Sequence, residues 1–212
     1  KGRAFLTPVE AEEFNAMEGS SNRDAWFLSR IATKEVTQRY CDLKHHFVPE
    51  VSQFRLAENS PRRLNVLLDD SQSDTMPALE ASFDTSDQFV VTCLRATEAG
   101  ERFSVVIHRV EARYPFADFS GLSDTESQQV RFAAPEEADR VLHGIYAVKQ
   151  ALAEVGAPES TGLHALSLRG ACELRAPSDC RLHAACWYFD HHVMALAFHW
   201  EAPHSGPIPG SR

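Results

Sequence analysis

A chain of 212 residues with 43% apolar side chains has the length and the material for one large cored domain or two small ones. Its formal net charge of -9 repels polyanions, which argues against nucleic acid as a partner. No run approaches the roughly 18 consecutive apolar residues of a membrane span, and no charged-then-apolar leader is present, so the sequence argues against a membrane partner and predicts a cytoplasmic protein.

In chain order, Thr7-Pro8-Val9-Glu10 has the form of a capping box: a side-chain acceptor at the cap, proline at the first helical position and a carboxylate reaching back. A short helix is expected there. The spacing of Leu28, Ala32 and Val36, with Phe27 and Ile31 beside them, predicts a longer helix over Arg23 to Tyr40. Four strands follow, over Ser52 to Leu56, Leu64 to Leu68, Phe89 to Leu94 and Phe103 to Val110, separated by turn-rich stretches such as DDSQSD.

The pattern then restarts. Pro135-Glu136-Glu137 opens a helix whose Val141, Ile145, Val148, Leu152 and Val155 line one face before Gly156 stops it. Strands are expected over Leu163 to Leu168, Leu182 to Phe189 and His192 to Trp200. Each half, 1-110 and 111-212, thus reads as helix followed by antiparallel sheet, an α+β plan. RIATKEV in the first long helix is echoed by IYAVKQA in the second, placing Lys34 and Lys149 alike.

Five cysteines, Cys41, Cys93, Cys172, Cys180 and Cys186, are odd in number and hold no Cys-x-x-Cys pair, so free thiols are expected. The doublets His45-His46 and His191-His192 tempt a metal reading, but neighbours on a strand point to opposite faces and cannot readily chelate one ion. The chain begins at Lys1 almost directly in a patterned segment, as a piece of a longer polypeptide would.

Five segments, NRDAWFLSRIATKEV, SPRRLNVLLDD, ASFDTSDQFVV, SVVIHRVEAR and YAVKQALAEVG, stand in the order in which phosphopantetheinyl transferases of the surfactin-synthetase type carry their motifs. The sequence resembles those transferases, above all versions fused to polyketide synthases, over nearly its whole length. The resemblance implies a pseudo-dimer of two α+β halves. It also implies transfer of the phosphopantetheine arm of coenzyme A to a serine of an acyl carrier protein. Magnesium neutralises the pyrophosphate in such chemistry and is held by hard oxygen ligands.

In that family an aspartate and a glutamate two apart on a strand supply those ligands, and the glutamate of a helical Lys-Glu-Ala completes the site or takes the serine proton. The matching positions are Val106, His108 and Gln150, beside Lys149. Valine offers no ligand, neutral imidazole suits magnesium poorly, and glutamine brings no charge. A slip of three residues would bring Glu111 into register but put Arg109 in the aspartate's place. The family's nucleotide-binding histidine falls on Thr85 and a second helical lysine on Glu154. Arg30, Lys34, Arg62, Arg63 and Lys149 remain as residual anion contacts.

The expectation is therefore a catalytically inactive relative, with no cofactor and no metal. Neighbouring domains of a megasynthase would be its partners, with an acyl carrier protein as a further candidate, although net acidity disfavours acidic carriers. The alternative is an active transferase that takes coenzyme A and magnesium, with Glu111, Asp84, Asp87 or Glu35 as ligands. A plain protein-interaction module is the third class.

Overall fold

In a computed structural model the described residues are 5-20, 22-68, 76-97, 101-112, 119, 121-177 and 181-200. Two compact units divide them: Lys1–Thr97 with Val105–Arg109, and Glu98–Ser104 with Val110–Arg212. The turn-rich stretch 69-74 and Cys180 lie outside the described residues.

The first unit opens on α1 (Pro8–Ala16) and α2 (Arg23–His45), followed by a 3-10 turn (Val51–Gln53). Its strands β1 (Phe54–Ser60), β2 (Arg63–Leu68), β3 (Leu79–Ser86) and β4 (Phe89–Ala96) form an antiparallel sheet in chain order. Asp87, in the left-handed region, turns β3 into β4. Helix α2 packs on β3 and β4, and Cys41, Phe54, Leu56, Leu64, Val66 and Leu79 form a core that Tyr40 and Phe47 cover.

The buried face of α2 differs from the apolar stripe expected for it. Leu28, Ala32 and Val36 are only half-buried, whereas Ser29, Arg30, Thr33, Lys34, Thr37 and Cys41 are buried. Small hydroxyl residues take this role because the backbone satisfies them: Thr37 Oγ1 donates to the Thr33 carbonyl at 2.8 Å and Ser29 Oγ to that of Trp26 at 2.8 Å. The helix also runs on past Tyr40, because Cys41 belongs to the core and His46 supplies a left-handed cap.

Strand β5 (Glu101–Arg109) contributes residues to both units. The second unit then repeats the short-helix, long-helix order with α3 (Asp124–Phe132) and α4 (Pro135–Glu154). Short strands β6 (Gly162–Ala165) and β8 (Glu173–Arg175) pair with each other. β7 (Arg169–Ala171), β9 (Arg181–Phe189) and β10 (His192–Trp200) complete a sheet ordered β5-β10-β9-β7.

Helix α4 lies on β9 and β10. Ile145, Val148 and Leu152 are buried, opposed by the small Ala184, Ala195 and Ala197, which let helix and sheet approach closely. Gly144 permits a similar approach: a Cβ there would sit 2.9 Å from Leu166 Cδ2 and from Leu168 Cδ2. Gly156, at φ +72°, ends the helix as its place in the sequence predicts, with the Ala157 N–H donating to the Leu152 carbonyl at 2.9 Å. The fold is thus mixed α+β with antiparallel sheets. Among the described residues no helix is long and apolar enough to cross a membrane.

Candidate functional site

The positions expected to have lost a metal are held by groups with other tasks. Val106 is fully buried in β5, among Phe103, Val105 and Ile107, which are equally enclosed. His108 is half-buried near the end of the same strand. On α4, Gln150 donates to Glu154 Oε1 at 3.1 Å, and Glu154 Oε2 accepts from Ser104 Oγ at 2.5 Å. Among the described residues no group of three or more histidines, cysteines, aspartates or glutamates is arranged to hold a metal ion.

The carboxylates of the rewired alternative are also spoken for or dispersed. Asp84 is buried; its Oδ2 accepts the Ile107 N–H at 3.0 Å and its Oδ1 the Thr85 N–H at 2.9 Å, with Arg62 Nε 3.5 Å away. It therefore fastens β3 to β5. Asp87 pairs with Arg109 at 3.2 Å. Glu35 and Glu111 are exposed.

The five expected anion contacts meet groups of the chain itself. Arg63 Nη1 lies 3.2 Å from Glu80 Oε1. Arg62, in the left-handed region, faces Asp84. Arg30 is 4% exposed and its guanidinium stacks over Trp26 at 3.7 Å, while Arg23 covers Phe14, which in turn stacks on Trp26. Burial pushes the Arg30 guanidinium below its ordinary value, against the opposing charges of Glu13, Glu10 and Glu58.

Lys34 and Lys149 are each tied to a capping-box glutamate. In the first unit the Glu10 N–H donates to Thr7 Oγ1 at 3.3 Å, and Glu10 Oε2 reaches back to the Thr7 N–H at 2.8 Å. That same oxygen takes Lys34 Nζ at 2.5 Å, while Oε1 accepts the Leu56 N–H of β1 at 3.3 Å. Lys34 also donates to the Phe5 carbonyl at 2.9 Å, and the pair is closed to solvent, 0% and 1% exposed. Burial pushes the ammonium below its ordinary value, opposed by its bond to Glu10. One carboxylate thereby joins α1, α2 and β1.

In the second unit the Glu126 N–H donates to Ser123 Oγ at 3.2 Å, and Glu126 Oε2 accepts the Ser123 N–H at 2.8 Å. Oε2 also takes Lys149 Nζ at 3.0 Å, and Oε1 accepts the Leu163 N–H of β6 at 3.3 Å. Gln129 adds two bonds from α3 to the same stretch, donating to the His164 carbonyl at 3.3 Å and accepting from the Leu166 N–H at 2.7 Å. Sequence reading saw the Thr7 box but not the Ser123 one, although the Ser-x-x-Glu signal is as plain.

Burial alone would raise the Glu126 carboxyl, but the Ser123 amide, the Lys149 ammonium and the Leu163 amide outweigh it and hold it below its ordinary 4.5. A carboxyl depressed in the folded state contributes stability that is complete above pH 4.5 and is lost as pH falls below that value through the folded pKa. Urea midpoints should fall on acidification below pH 4.5, and Glu126→Gln should flatten that part of the profile.

Beside this joint the second unit carries an open depression of about 450 Å³, lined by Ser123, Thr125, Ser160, Leu163, His164 and Arg175. The two histidine doublets sit at a helix end and in a hairpin turn. His46 and His191 are left-handed, and His192 Nδ1 lies 2.8 Å from the Asp190 carbonyl. Compared with known proteins, the chain matches no family model, and no curated protein matches it.

Proposed function

We propose that the chain is a degenerate phosphopantetheinyl-transferase-like domain. In this reading it is a pseudo-dimer of two related halves belonging to a polyketide synthase or similar megasynthase. Its role is structural or one of contact with neighbouring domains, in the cytoplasm, and an acyl carrier protein is a further partner it would meet. The observation that carries the reading is the state of Val106. A strand position that would present a carboxylate to magnesium is instead fully enclosed core.

Valine, imidazole and a carboxamide do not fit a hard divalent cation, so no transfer step is assigned to these residues. The repeated order of short helix, long helix and strand supports the two-half plan. Of the carboxylates open to the rewired alternative, Asp84 already accepts a backbone N–H on each of its oxygens, so a metal there would compete with both bonds. Incubation with coenzyme A, magnesium and an apo carrier protein, read by intact-mass spectrometry, tests the proposal. No phosphopantetheine adduct is expected, and magnesium-dependent modification would contradict it.

A further inference from the structure

Lys149 adjoins Gln150, the position read as a lost magnesium ligand, and the simplest view of it is a leftover ligand for phosphate. Its geometry gives it another task. Within each unit, taken alone, the same four groups meet: a hydroxyl N-cap, a glutamate three residues on, a lysine from the next helix, and the N–H of a leucine in the first strand after that helix. The short helices are of equal length, 9 residues each. In both units Oε2 serves the cap N–H and the lysine while Oε1 serves the strand. In both, the long helix packs on the unit's final hairpin.

We infer that Lys34 and Lys149 are equivalent residues of a repeated half, and that Lys149 is a positioning residue that ties α3 and β6 to α4. Glu126, 1% exposed, needs a counter-charge, and an unpaired buried carboxylate is far costlier than a missing surface contact. The assignment shares with the proposed function the plan of two related halves but rests on bonds inside each unit, and a phosphopantetheine adduct would overturn that function while leaving the role of Lys149 standing. The next residue, Gln150, donates to Glu154 Oε1 at 3.1 Å. The joints differ in closure, with Lys34 0% and Lys149 38% exposed, so the second should contribute less.

The test is hydrogen exchange and thermal melting of the full chain with Lys149→Met, Lys149→Arg and Lys34→Met, each with and without inorganic phosphate. Lys149→Met is expected to lower Tm by about 5 °C and to speed exchange of the Leu163 amide selectively. Lys149→Arg should restore part of both, and Lys34→Met should act at the Leu56 amide with a larger loss of Tm. If Lys149→Met fails to fold, the protection of Leu163 in Lys149→Arg still decides. The inference is overturned if Lys149→Met leaves Tm and Leu163 exchange unchanged but removes a phosphate-induced rise in Tm.

Discussion

Glu10→Leu is expected to cost about 3–5 kcal/mol, the usual consequence of stripping one partner from a buried ion pair. Lys34 would keep the Phe5 carbonyl and the face of Phe54 but no counter-charge at hydrogen-bond distance, and the N–H groups of Thr7 and Leu56 would lose their acceptor. Against a total stability of about 5–15 kcal/mol, that is a loss of about a fifth or more. The urea midpoint reads it directly. Adding Lys34→Met should return much of the loss, because the stranded charge and not the missing bond dominates the cost. A double variant as unstable as the sum of its parts would mean that the pair is not coupled.

Val106→Asp, the first step in rebuilding a metal site, should cost about 4 kcal/mol near neutral pH, since a carboxyl enclosed in apolar core shifts its pKa upward by several units. The sign is opposite to that for Glu126. A raised folded-state pKa leaves the variant least impaired below about pH 3.9, the unfolded value, and the penalty grows as pH rises above it. Millimolar magnesium should not relieve it, because His108 and Gln150 bring no negative charge. Recovery of the urea midpoint on adding magnesium would show that the remaining ligands of a working site are in place.

Much of the fold was legible because its signals are local. The hairpin strand His192 to Trp200 has the bounds its alternation predicts, and α4 begins at Pro135 and stops before Gly156. What escaped was built from polar residues. Strand β3 is buried on both faces, Leu79 and Ala81 on one and Ser82 and Asp84 on the other, where the polar pair accepts the Val105 and Ile107 N–H groups. Nothing in their own segment announces those distant partners. Helix α3 presents almost no apolar stripe, burying only Glu126 and Val130, and its cap was the sole readable sign. The expected strand over Leu163 to Leu168 ends at Ala165, and the short β7 and β8 follow.

For the candidate site, the sequence gives which residue types stand at each position but not what they touch. Lys34 looked like an amine available to an anion, yet its partner lies 24 positions earlier, on another helix. Long-range pairing of this kind separates a charge that recognises a ligand from one that holds the chain together.

Calorimetric titration with magnesium in the presence of coenzyme A puts the central claim, a loss of metal-holding charge, to its most direct trial. No saturable heat is expected. Saturable magnesium binding that required coenzyme A and disappeared on substituting Asp84 or Asp87 would contradict it.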